Sequence, residues 1–110
     1  MAEVQVGEAH AGASAEDFER EHGFTPAQWL DIVRGAVADH AMALDADGLG
    51  ASVRIGAGTL RLHWRALPPR RIALMQMPRL AVRYRFDAVP PDARVGFMRH
   101  FDLFMHRGGG

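Results

Sequence analysis

Between Gly50 and Asp87 the chain reads GASVRIGAGTLRLHWRALPPRRIALMQMPRLAVRYRFD. Most of this stretch alternates apolar and polar residues, a period of two, which is the pattern of a strand with one buried face. Val53 and Ile55 lie opposite Arg54. Leu60, Leu62 and Trp64 alternate with Arg61, His63 and Arg65, and Leu80, Val82, Tyr84 and Phe86 alternate with Arg79, Ala81, Arg83 and Arg85. Residues 71–77 are apolar on both sides, with Ile72 and Leu74 against Ala73 and Met75. Gly56-Ala57-Gly58, Leu67-Pro68-Pro69-Arg70 and Pro78 punctuate the runs as turns. The expectation is four strands, over 51–57, 59–66, 71–77 and 79–87, in an antiparallel meander with one hydrophobic face.

Helical signals flank the meander. Thr25-Pro26-Ala27-Gln28 reads as an N-cap, a proline at N1 and a capping-box glutamine at N3. Trp29, Ile32, Val33, Ala36, Val37, His40, Ala41 and Leu44 then recur at helical spacing, which predicts a helix over 26–45. Ser14 followed by Glu16 and Asp17, with Gly23 downstream, predicts a short helix over 15–22. Pro90-Pro91-Asp92 opens a helix over 91–106, with Phe97, Met98, Phe101, Phe104 and Met105 as its stripe. Within it Asp102 has Arg99 and His106 at pairing distance along the helix. Residues 1–13 read as a flexible acidic tail, 14–107 as one domain and 108–110 as a flexible glycine tail.

The fold expected is therefore α+β, a four-stranded antiparallel sheet with an N-terminal helical segment and a C-terminal helix packed on one face. Its core would comprise Trp29, Val33, Val37, Val53, Ile55, Leu60, Leu62, Trp64, Ile72, Leu74, Leu80, Val82, Tyr84, Phe86, Phe97 and Phe101.

The charges are sorted along the chain. Residues 1–47 hold ten acids against two arginines, a balance of −8, and residues 48–110 hold eleven arginines against three acids, a balance of +8. Such a dipolar molecule needs a negative partner for its basic half, supplied by its own acidic half or from outside. Arg54, Arg61, His63, Arg65, Arg71, Arg83 and Arg85 all fall on the face opposite the core if the alternation holds. Ala73, Met75 and Ala81 form an apolar centre among them, a place for an interface.

Several chemistries lack their residues. There is no cysteine, lysine or asparagine, and the side-chain hydroxyls are Ser14, Ser52, Thr25, Thr59 and Tyr84. Disulfides, thiolate chemistry and Schiff bases are thereby excluded. The six histidines show no HxH, HxxxH or HExxH spacing, and Asp45-Ala46-Asp47-Gly48 lacks the rest of a calcium loop, so no metal or cofactor is expected. No catalytic constellation assembles, which argues against an enzyme. No apolar run reaches the ~20 residues of a membrane span, no signal peptide is apparent, and a cytoplasmic location is expected. Arg107-Gly108-Gly109-Gly110 resembles the diglycine tails of ubiquitin-like carriers, but those follow a strand and this ending follows a helix.

The leading expectation is a non-catalytic binding or assembly module, with the arginine face engaging an acidic protein or a second copy in a homodimer. A nucleic-acid-binding domain is the alternative, weakened because Trp64 and Tyr84 fall on the core side and leave no base-stacking aromatics. A third reading is an enzyme or binder of an anionic metabolite around His63.

Overall fold

The computed structural model describes residues 15–108; the tail expected over 1–13 and the last two glycines lie outside the described residues. Among the described residues the elements run β1 (Asp17–His22), α1 (Pro26–Ala36), β2 (Met42–Leu44), β3 (Gly50–Ile55), β4 (Gly58–Ile72), β5 (Met75–Asp87) and α2 (Pro91–Gly108). The architecture is α+β as expected, but the sheet has five strands, in the order β1-β5-β4-β3-β2, all antiparallel neighbours.

The first correction is at residues 15–22. The segment is an edge strand and not a helix, pairing Asp17 with Arg85, Glu19 with Arg83 and Glu21 with Ala81. Its own residues alternate. Phe18, Arg20 and His22 turn towards the core side, while three acids turn outward to meet a strand with outward arginines. The acids that resemble first-turn helix residues are cross-strand partners.

The second correction concerns α1. It starts as its capping box dictates: Thr25 Oγ1 accepts from the Gln28 backbone N–H at 3.2 Å, and Gln28 Oε1 accepts from the Thr25 N–H at 2.9 Å. It ends nine residues before the expected boundary. Val37 is its C-cap and Ala38 takes a left-handed φ of 56°. The chain is then captured by β3, where Arg54 N–H donates to Ala41 O at 2.9 Å and His40 Nδ1 lies 2.8 Å from Arg54 O. Met42 and Leu44 thus pair with Val53 and Ala51 instead of extending the helix. At its other end the chain gives α2 one residue more than expected of the glycine tail, since Gly108 closes the helix.

The third correction is at the prolines. No separate strand spans 71–77. β4 continues through Pro68 and Pro69 to Ile72, turns at Ala73-Leu74, and returns as β5 through Pro78. Ala73 takes a φ of 55° in that turn. The prolines are tolerated because β4 has no β3 partner beyond His63 and β5 has no β1 partner beyond Leu80, so the missing N–H groups fall at open edges.

Both helices cover one face of the sheet. Trp29, Val33, Val53, Leu60, Leu62, Leu80, Val82, Tyr84, Met98 and Phe101 are fully buried there. Trp29 meets Trp64 edge-on at 5.9 Å between ring centroids, and Phe101 meets Tyr84 at 5.8 Å with planes near perpendicular, the arrangement aromatic pairs favour. The helices approach closely at Gly35, where a Cβ would collide with the Phe104 ring. Of the expected core, Ile72 and Leu74 are excluded: they are 53% and 102% exposed.

Candidate functional site: the outer sheet face and the β4–β5 arm

The outer face carries the arginines, and the strand β1 brings acids to them. Arg83 donates to both oxygens of Asp17, at 3.0 and 2.7 Å. Arg79 does the same to Glu21, at 3.0 and 3.0 Å, with Arg70 3.9 Å from that carboxylate. Arg61, on β4, holds Asp45 through two nitrogens at 3.0 and 2.8 Å and donates to Ser52 Oγ at 2.7 Å. Arg85 lies 3.7 Å from Asp87. These bidentate bonds hold the Asp17, Glu21 and Asp45 carboxyls below their ordinary pKa, and raise those of their arginine partners further. The acidic first half thus neutralises much of the basic second half within one chain.

The expected site residues separate into groups. Arg61, Arg83 and Arg85 lie on the outer face beside carboxylates of the same chain. Arg54, His63 and Arg65 are exposed there and make no ion pair among the described residues. Arg71 leaves the face. An extra residue between Leu67 and Arg70 shifts the β4–β5 register, so Arg71 pairs with Gln76 and takes the parity opposite to Arg79 and Ala81. Arg70 and Arg79 join the outer face instead. Arg79 was legible, since it shares the alternation of Ala81, Arg83 and Arg85; Arg70 was hidden by the bulge.

Ala73, Met75 and Ala81 do not form one patch. Ala81 is 5% exposed, at a shallow depression of about 390 Å³ walled by Glu19, His63, Arg65 and Arg83, with Leu49 at its margin. Met75 lies six positions further along β5, roughly 20 Å away at ~3.3 Å per residue, and is 64% exposed. It belongs to a different feature. Past Ala66 and Leu80 the β4–β5 hairpin has no neighbouring strand, and every residue from Pro68 to Met77 is exposed. This projecting arm carries Ile72, Leu74, Met75 and Met77 on its surface, with Arg70, Arg71 and Arg79 along its length and no acid. Proline at 68, 69 and 78 removes three main-chain donors from it, so contact through strand addition is disfavoured relative to contact through side chains.

On the core side, Arg20 crosses to α2 and donates to both oxygens of Asp102, at 2.6 and 3.3 Å, with its guanidinium 5.1 Å from the Phe18 ring and 5.4 Å from the Tyr84 ring. Asp102 is therefore bound across the fold as well as being placed near Arg99 and His106 in its helix. His22 Nε2 lies 2.7 Å from Tyr84 Oη. Burial of His22 pushes its pKa down to about 4, and burial pushes the Tyr84 phenol well above its ordinary value.

A second depression of about 420 Å³ sits at the far end of the sheet from the arm, where Ile55 meets the start of α2. Ile55, Ala93, Gly96 and Phe97 line it, with Asp39, His40 and His100 at its sides. Among the described residues no group of three or more histidines and carboxylates is placed to hold a metal ion, and no helix is long and apolar enough to cross a membrane. No protein-family model matches the chain, and no curated protein matches it as a relative.

Proposed function

We propose that this chain is a non-catalytic binding or assembly module, and that its principal contact element is the β4–β5 arm. The observation that carries this reading is the exposure of Leu74, complete at 102%, beside Ile72, Met75 and Met77 at 53%, 64% and 44%. Four large apolar side chains on one projection cost solvation free energy in a monomer and are the composition of a contact site. The arginine face supports such a role less directly. A phosphate or acidic protein reaching Arg61, Arg79 or Arg83 has to displace a bidentate carboxylate already in place. For the same reason the nucleic-acid reading gains less from the fold than the arm does.

Oxidation of Met75 and Met77 by dilute peroxide tests the arm as a working contact, with buried Met98 as the internal control. Both methionines are expected to oxidise quickly in the dilute purified chain and slowly in the cells that express it, where the arm is covered. Equal rates in the two settings would reject the reading.

A second reading has one observation in its favour. The depression over Ala81 is flanked by Arg65, which makes no ion pair among the described residues, and by His63. That is a place for a small anion with an apolar body. Titration with aromatic and aliphatic carboxylates, followed by chemical shifts of Ala81 and His63, tests it; an absence of saturable shifts ends it.

A further inference from the structure

We infer that the arm's partner is a second copy of this chain, and that Leu74 of each copy enters the depression between β3 and α2 of the other. This rests on the reading of the arm as a contact element and names its occupant. Three observations support the pairing.

The first is chemical. The arm is apolar at its tip and carries arginines only, while the depression has an apolar floor of Ile55, Ala93 and Phe97 with Asp39 at its edge. Asp39 makes no ion pair among the described residues and is exposed. The outer-face acids, by contrast, are largely occupied by arginines of their own chain. An apolar knob with a positive collar meets an apolar hole with a negative edge.

The second is the exclusion of tip-to-tip contact. Two arms meeting at Leu74 would bring Arg70 and Arg71 of both copies together, while Glu21, the carboxylate 3.9 Å from Arg70, is already held through both oxygens by Arg79. Like charges forced together across an interface are costly, and the arm offers nothing to offset them.

The third is geometric. Ile72 and Gly58 are the two ends of β4, roughly 45 Å apart at ~3.3 Å per residue, and the chain's longest dimension is 46 Å. The tip lies at one end and the depression, beside Ile55 and its partner Gly58, at the other. A chain cannot fill its own depression. Two copies laid antiparallel place each tip at the other's depression, so both contacts close around one two-fold axis and no sticky end is left over. Parallel stacking would leave one tip and one hole open and propagate without limit.

The native absence of cysteine makes the test clean. Leu74→Cys and Gly96→Cys are made separately, mixed, and exposed to a mild oxidant. Both positions are exposed, and a Cβ at Gly96 meets nothing within 4 Å, so neither change disturbs the fold. The expected product is a covalent dimer joining one chain of each kind, several-fold faster than either protein forms its own. Analytical ultracentrifugation should show the wild-type chain as a dimer, Leu74→Asp as a monomer, and Asp39→Arg with a weakened dimer. A wild-type dimer that crosslinks mainly through Leu74→Cys to itself overturns the antiparallel pairing and keeps the arm as the contact. A wild-type monomer overturns the second copy as partner, and the methionine oxidation result then judges the arm on its own. A dimer indifferent to Leu74→Asp overturns the inference and the reading together.

Discussion

Arg20 and Asp102, eighty-two positions apart, are joined by a two-pronged contact at 2.6 and 3.3 Å that ties the first strand to the last helix. The guanidinium lies over Phe18 and Tyr84, so its attachment is partly to ring faces and partly to the carboxylate. Arg20→Ala removes both contacts and should lower unfolding free energy by about 1–2 kcal/mol. Asp102→Asn removes only the charge, and should cost less than about 1 kcal/mol because that carboxylate is 43% exposed. Urea unfolding of the two single variants and the double variant measures the coupling; additive losses would mean that the pair contributes nothing as a pair.

His22 should make the protein acid-sensitive before its carboxylates do. Burial of the ring against Tyr84 and Trp29 lowers its pKa from 6.5, the ordinary value kept in the unfolded chain, to about 4 in the folded protein. Between those values the unfolded chain takes up the proton first, so stability is full above pH 6.5 and falls as the pH drops towards 4. The loss is on the order of 2–3 kcal/mol by pH 4. Asp17, Glu21 and Asp45 lose their stabilising ionisation at lower pH, since their folded values lie below the ordinary carboxylate range. The window from pH 6.5 to 5 therefore isolates His22. Urea midpoints of wild type and His22→Gln across that window should converge as pH falls; parallel curves would refute the assignment.

Two glycines should respond oppositely to alanine. A Cβ on Gly58 would strike the backbone of Ala88 and Asp87, which cannot swing aside, so Gly58→Ala should destabilise by about 1–3 kcal/mol. Gly96 sits inside α2 with nothing within 4 Å of a new Cβ, and Gly96→Ala should stabilise by about 0.5–1 kcal/mol through helix propensity. Thermal melts of both variants check the two signs at once.

Leucines of the same strand pattern should differ in what they hold together. Leu62 is fully buried, and Leu62→Ala should cost about 2–5 kcal/mol. Leu74 is fully exposed in the monomer, and Leu74→Ser in a dilute sample should change stability by no more than about 0.5 kcal/mol. A large loss from Leu74→Ser under monomeric conditions would mean that the arm folds back onto the body.

Much of the fold was legible locally. The period of two in Leu60-Leu62-Trp64 and Leu80-Val82-Tyr84-Phe86 identifies two central strands and their buried face. Thr25-Pro26-Ala27-Gln28 identifies the start of α1, and Pro90-Pro91-Asp92 the start of α2. These succeed because a buried face or a helix terminus constrains residues a few positions apart. The sign of the charge in each half of the chain was equally plain.

What the linear order could not decide is whatever depends on a partner far along the chain. Asp17-Phe18-Glu19-Arg20-Glu21-His22 is consistent with a capped helical turn or an edge strand, and pairing with β5 selects the strand. The end of α1 depends on β3, which offers Ala41 and His40 better partners than another helical turn. The bulge at Leu67–Arg70 reverses the face of the β4 residues beyond it, which moves Arg71 off the basic face and Arg70 onto it. The apolar run of 71–77 shows the same limit. Alternation marks a residue as able to be buried, and only the three-dimensional arrangement decides whether anything is there to bury it. For Leu62 two helices are; for Leu74, at the tip of the arm, the single chain offers only solvent.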